Sequence, residues 1–370
     1  MDRGLLAAAV FGVAFLSALL LVPVARKWGT FLGVMDHPGE RKVHESPTPR
    51  SGGWAVLLAF LGTAGIGYLS LPLLQGMPFL RSLFGSGLDL LSEAHRVESK
   101  LAAVLAGATL AFAVGLADDV LGRRFPVLLK AAGQLLAAGI VVGAGVRTSV
   151  FPFEWMNVVV TMVWLVGITN AFNLLDNMDG LSAGVALVAS SVLLLNAWSL
   201  QEYFISLLLL AFVGALGGFL VFNVNPASVF LGDCGSHFIG FSIAALTLLE
   251  RYVSHASSTY FPVLMPVLVL AVPIMDTATV VVIRLREGRP VYVGDACHLS
   301  HQLVRRGFSR RAAVLILYLT TLTLGLGAIS LTDATLWQSA FVLLQSLGFV
   351  AVTLALIFGR ASSVPRAGEP

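Results

Sequence analysis

Charge is what this sequence has least of. Of its 370 residues only 12% are charged, against about a quarter in soluble domains, while 57% are hydrophobic and the mean hydropathy is +0.88. So few charges cannot cover a water-facing surface, which excludes a soluble fold, a disordered chain and a coiled coil. Cysteine is nearly missing too, since Cys234 and Cys297 alone build no disulfide framework. The net charge of +3 is small and dispersed and leaves no footprint for nucleic acid. Also absent are an HExxH metalloprotease helix and a Walker A loop. Phe230-Leu231-Gly232-Asp233 is only superficially like an intramembrane aspartyl protease motif, because Phe230 stands where that motif has glycine.

Long apolar runs are abundant. A helix of about 20 apolar residues crosses a hydrocarbon core about 30 Å thick. Eleven such runs are read near 4–24, 53–75, 99–117, 127–146, 155–172, 181–198, 203–222, 236–252, 261–285, 311–331 and 335–359. Barrel strands would alternate over ten-residue segments, and none does so. The expected fold is an all-α polytopic integral membrane protein. Arg26, Lys27, Arg41, Lys42, Arg50, Arg123, Arg124, Arg286, Arg289, Arg305, Arg306 and Arg310 gather in one set of loops. The other set holds Arg3, Arg81, Arg96, Lys100, Arg147 and Arg251. The positive-inside bias therefore predicts an outside N-terminus and a cytoplasmic C-terminus in a plasma membrane. Residues 1–360 read as one transmembrane domain with cytoplasmic loops, and 361–370 as a disordered tail.

The acids are placed unevenly. Asp118, Asp119, Asp176, Asp179, Asp233, Asp295 and Glu287 all fall at predicted cytoplasmic helix ends or loops. Acids beside hydrocarbon are costly unless paired, metal-bound or functional, so convergence on one site is expected. Gly115-Leu-Ala-Asp118-Asp119 puts two repelling carboxylates together, which need a cation. Neighbouring Arg123, Arg124 and Lys130 supply one in the structural reading, and a divalent ion or a phosphate network does so in the functional one. Asn170 through Gly180 carries Asn170, Asn173, Asp176, Asn177 and Asp179, an oxygen density suited to Mg²⁺ or a ribose–base edge. Helix capping would account for one or two of these residues. Asp233 opens a predicted helix, where free N–H groups favour anions including phosphate; a plain N-cap is the alternative. In the 286–311 loop, His298 and His301 lie three apart beside Arg286, Arg289 and Asp295, a pattern better suited to a sugar or anion than to zinc. The first loop adds Asp36, Arg41, Lys42 and His44 between prolines and the pair Gly52-Gly53, suggesting a fixed turn rather than a polybasic strap. Asp276 lies mid-span and is left between a supporting partner and a helix–helix hydrogen bond.

Four of these motifs, in order and on one face, resemble the polyprenyl-phosphate N-acetylhexosamine-1-phosphate transferases. They are Asp36-His-Pro-Gly-Glu-Arg41-Lys42-Val-His44, Gly115 to Asp119 with Lys130, Asn170 to Gly180, and Phe230 to Asp233. The resemblance implies attack of undecaprenyl phosphate on the β-phosphate of a UDP-N-acetylhexosamine, most simply UDP-GlcNAc, with release of UMP. It implies Mg²⁺, for which Mn²⁺ would substitute, held by Asp233 with Asn173 and Asp176. Asp118, Asp119, Asp176 and Asp233 become the catalytic set, and Asp118 and Asp119 handle the acceptor phosphate. Lys130 then holds a phosphate, Asp179 and Phe230 meet uridine, and Arg289, His298 and His301 recognise the sugar. Arg41, Lys42 and His44 are counted with the substrate-binding residues. The implied partners are the UDP-sugar, undecaprenyl phosphate and membrane lipid, with no nucleic acid and a homodimer left open. A phospho-N-acetylmuramoyl-pentapeptide transferase is the alternative enzyme. The alternative outside enzymes is a transporter, which would need polar residues reaching both faces.

The sugar loop departs from the GlcNAc pattern His-x-His-His, because it reads His298-Leu299-Ser300-His301. Ser300→His tests that departure: a changed preference among UDP-sugars makes position 300 a specificity determinant, and an unchanged one removes it from that role.

Overall fold

The computed structural model describes residues 2–36, 47–69, 76–79, 84, 98–253, 257, 259–290 and 297–358. The chain is an all-α polytopic membrane protein, as the hydropathy predicts. In hydrocarbon every backbone N–H and C=O must be satisfied within the element, and helices do this alone. The helices are α1 (Asp2–Phe31), α2 (Gly52–Leu69, with a π-turn at Gly62–Ile66), α3 (Glu98–Leu121), α4 (Val127–Gly143) and α5 (Glu154–Leu175). Then come α6 (Leu181–Ser199), α7 (Tyr203–Asn223), α8 (Gly232–Leu249), α9 (Met265–Val269) and α10 (Ala271–Arg286). The chain continues through α11 (Leu299–Arg305), α12 (Arg310–Ile329) and α13 (Leu336–Phe358).

Among the described residues nine helices are long and apolar enough to span, and ten if the pair 261–269 and 271–286, bent by 69°, counts as one. The expected span 127–146 forms a shorter apolar helix, Val127–Gly143. The predicted tail 361–370 lies outside the described residues. A two-residue antiparallel ladder pairs β1 (Met35–Asp36) with β2 (Thr48–Pro49), and the turn expected between them lies outside the described residues.

Helix α8 is the axis of the bundle, with 83% of its apolar stretch enclosed, whereas α13 is enclosed over only 17%. Phe60 of α2, Phe212 of α7 and Phe238 of α8 form a ring cluster with centroids 5.4–6.4 Å apart, locking three helices around that axis.

The end of the bundle away from the acid motifs carries polar groups too. Asn196 Nδ2 donates to Glu250 Oε1 at 2.8 Å, and Thr332 Oγ1 donates to Asn196 Oδ1 at 3.1 Å. Beside them Arg251 pairs with Glu202 at 3.2 Å. Burial pushes the Glu250 carboxyl up to about 8, with the Asn196 bond opposing the rise. A carboxyl whose folded pKa exceeds its unfolded one near 4.5 stabilises the fold fully at low pH. That stability is lost as pH climbs through the window from about 4.5 to 8. Glu250→Gln is therefore expected to match wild type near pH 4.5 and to exceed it at pH 9 by a few kcal/mol, read from thermal unfolding in detergent.

Candidate active site

At the other end, the C-termini of α3 and α5 meet the N-termini of α4 and α8. Glycine makes the approach possible. A Cβ on Gly115 of α3 would lie 2.3 Å from the Asp233 carbonyl oxygen, and one on Gly53 of α2 would lie 2.3 Å from the Gly235 Cα. Gly232 enters α8 at φ +76°, a left-handed conformation that side chains resist.

The two adjacent carboxylates divide the work. Asp119 is fully buried and spends both oxygens on the start of α8: Oδ1 accepts the Asp233 N–H at 3.0 Å and Oδ2 the Cys234 N–H at 2.9 Å. Arg50 Nη1 stands 3.8 Å from Oδ1. The anion expected at this helix N-terminus is thus supplied by the chain itself. Asp118 turns the other way and takes Lys130 Nζ at 2.6 Å. Each acid has its own cation, which removes their mutual repulsion as a cost.

Lys130 is the hub. Besides Asp118 it lies 3.4 Å from Asn173 Oδ1 and 3.8 Å from Asp233 Oδ2. Asn173 Nδ2 donates to Asp233 Oδ1 and to Ser236 Oγ, both at 3.0 Å. A neighbouring amide pair, Gln134 with Asn170 at 2.8 and 3.2 Å, braces α4 against α5. Asp176 ends α5; burial, then the charge of Asp233, pushes its carboxyl up to about 8. Asp118, Lys130, Asn173 and Asp233 thus come together as expected, with Asp176 close enough to feel Asp233.

Asp179 faces elsewhere. Its Oδ2 accepts from Asn225 Nδ2 at 2.9 Å and the Ala227 N–H at 3.0 Å, and Arg311 Nη2 donates to the Asn225 carbonyl at 2.9 Å. Beside it lies a cavity of about 270 Å³ walled by Met178, Gly180, Val224, Val314, Leu315 and Tyr318, with Arg310 and Arg311 at its edge. Phe230 belongs to the frame as well: its N–H donates to the Pro49 carbonyl at 2.8 Å and its carbonyl accepts the Gly52 N–H at 2.9 Å. Arg41, Lys42 and His44 lie outside the described residues. Arg289 pairs with Glu287 and approaches Cys297 Sγ at 3.9 Å.

His298 and His301 place their ring centroids 6.1 Å apart. Ser300 is fully buried and donates to Asn177 Oδ1 at 2.6 Å, which ties the sugar loop to the Asn–Asp loop. Sequence reasoning gave no site role to Arg50, Gln134, Ser236, Arg311 and Tyr318. The first is one arginine among many in a basic loop, and the others are single polar residues on apolar helices or at their ends.

Among the described residues no three His, Cys, Asp or Glu side chains close a metal site. The donor set fits a hard cation held by one or two carboxylates, with its other positions left to phosphate and water, which is the usual habit of Mg²⁺. Asp233 and Asp176 suit that role. Asn173 turns its amide nitrogen to Asp233 and its oxygen to Lys130.

Residues 101–250 match the family described as glycosyl transferase family 4. A probable undecaprenyl-phosphate N-acetylglucosaminyl 1-phosphate transferase of Bacillus subtilis is 31% identical, covering 92% of this chain and 89% of that protein. The chain belongs to glycosyl transferase family 4. A decaprenyl-phosphate N-acetylglucosaminephosphotransferase of Mycobacterium tuberculosis is 32% identical over 81% of this chain and 76% of its own length. A phospho-N-acetylmuramoyl-pentapeptide-transferase of Bacillus cytotoxicus is 30% identical over 68% of this chain and 76% of its own length. The family 4 match contains the Lys130 cluster and ends before Asp276, Arg289, His298 and His301.

The geometry separates the paired acids experimentally. Asp119→Ala leaves two buried N–H groups without acceptors, so unfolding in detergent should show a loss of about 2–4 kcal/mol. Asp118→Ala, at a partly exposed ion pair, should change stability by less than about 1 kcal/mol.

Proposed function

We propose that the protein transfers N-acetylglucosamine 1-phosphate from UDP-N-acetylglucosamine to undecaprenyl phosphate, releasing UMP, in a Mg²⁺-dependent reaction at the cytoplasmic face of the plasma membrane. The observation that carries this is the Lys130 cluster: four separate helices meet so that Asp118 of α3, Asn173 of α5 and Asp233 of α8 lie within 2.6–3.8 Å of the ammonium group of Lys130 on α4. Relatives named for this transfer over most of their length support the substrate classes. The cytoplasmic placement draws support from Arg26, Lys27, Arg286, Arg305 and Arg306, which lie at the same end of the bundle as the site.

Two anionic substrates must meet, and phosphoryl transfer depends mainly on positioning and on neutralising their charge. Lys130 is the positive group at the centre and would exchange its carboxylate partners for phosphate oxygens as they arrive. Asp118 keeps the ammonium aimed at that point. A phosphate monoester is already largely ionised at neutral pH, so no carboxylate is required to deprotonate the acceptor. Asp119 acts on the scaffold by fixing the first turn of α8 and with it the Asp233 side chain. Asp233 and Asp176 would hold Mg²⁺, which when bound offsets charge on the diphosphate. On the sugar side, His298, His301 and Arg289 would meet the donor, with Asp179 and the adjacent cavity toward the nucleoside.

Purified protein in detergent, given undecaprenyl phosphate and a panel of UDP-sugars, should release UMP with UDP-GlcNAc only when both lipid and Mg²⁺ are present. Asp233→Ala should lower that rate by at least about 10²-fold while the melting temperature stays close to wild type. Release without lipid, or an Asp233→Ala variant of near-normal metal-dependent rate, would overturn the assignment.

A further inference from the structure

Asp276 is a fully buried carboxylate in the second turn of α10, within the bent helix pair that is long and apolar enough to span. Such a group is expensive unless its oxygens are bonded, and both are. Oδ1 accepts the Leu299 N–H at 2.7 Å, and Oδ2 lies 2.7 Å from His298 Nδ1. A neutral acceptor would have been enough to fasten the Leu299 N–H. The second oxygen does something more specific, because an imidazole nitrogen facing a carboxylate oxygen must carry the proton.

We infer that Asp276 is a positioning residue for donor recognition, holding the proton of His298 on Nδ1 and presenting Nε2 to the sugar of the nucleotide donor as a hydrogen-bond acceptor. This rests on the function proposed above. Only 4% of His298 is exposed, so its ring cannot turn freely and the edge opposite Nδ1 is what remains to meet a ligand. The loop is held on its other side by the bond from Ser300 to Asn177, which fixes the first turn of α11 from two directions. His301, one turn along, is kept toward its neutral form by burial and then by His298 beside it. The pair thus offers the sugar ring nitrogens from a loop held in place on two sides.

Asp276→Asn separates positioning from packing. The carboxamide oxygen must still face the Leu299 N–H, which turns its NH₂ toward Nδ1 and drives the His298 proton to Nε2. With UDP-GlcNAc varied, Asp276→Asn should raise the donor KM about tenfold, the scale of one lost hydrogen bond. The undecaprenyl phosphate KM should be unchanged. His298→Ala should raise the donor KM as well, and the double variant should be no worse than His298→Ala alone, because Asp276 acts through that ring. An unchanged donor KM in Asp276→Asn, or effects that add in the double variant, would overturn the inference.

A second readout needs no turnover. In protein labelled with ¹⁵N-histidine, the signal missing from His298→Ala identifies His298. Its shifts should place the proton on Nδ1 in wild type and on Nε2 in Asp276→Asn. A wild-type proton on Nε2 would sink the inference whatever the kinetics. Wild type that releases no UMP from any donor, yet shows the Nδ1 pattern, would refute the assigned reaction and leave the Asp276–His298 lock standing.

Discussion

The rest of the site hangs on the capture of the α8 N-terminus by Asp119. A helix start has N–H groups that lack partners, and in a membrane bundle no solvent reaches them from the apolar side. Here two of those groups, on Asp233 and Cys234, close on the two oxygens of one buried carboxylate. That bond pair joins α3 to α8, sets the direction in which Asp233 leaves the helix and draws Arg50 in from the first loop. The same stroke frees Asp118 for Lys130. Two neighbouring acids thereby acquire opposite roles, one facing the frame and one facing the reaction.

Much of this was legible in the sequence, for identifiable reasons. The helices followed from hydropathy because a bilayer leaves the backbone little choice. Convergence of Asp118, Asn173, Asp176 and Asp233 followed from the expense of placing acids at apolar helix ends. What could not be read was orientation. Nothing in Gly115 to Asp119 says that the second aspartate points into the bundle and the first out of it. That depends on Gly115, whose missing side chain admits the Asp233 carbonyl. Likewise the start of α8 looked like a seat for a phosphate, and its seat is taken by Asp119.

The sugar loop shows the opposite case, in which a local motif understated the connections. His298 and His301 stood out by spacing, and Ser300 stood out as a departure. In the folded chain Ser300 is a strut to Asn177, and His298 is bonded to an aspartate 22 positions upstream. Asp276 was visible from the start as an acid in a hydrocarbon span. Its partner was not, because the pairing is made by the return of the loop and not by any repeat in the sequence. The far end of the bundle, with Asn196, Glu250 and Thr332, was invisible for the same reason, each polar group being isolated along the chain.

The glycine-lined contact of α2 and α3 with α8 also bears on how such a chain diverges. Backbone touches backbone there, so the spacing of the acids is set by atoms that every residue type shares, and the identity of peripheral side chains barely enters. The outermost helix, α13, is enclosed over only 17% of its apolar stretch, and any lipid-soluble side chain serves on its surface. Substitution on that surface does not touch the glycine contacts of α2 and α3 with α8, so the bundle tolerates change most where it meets lipid and least where its backbones meet each other.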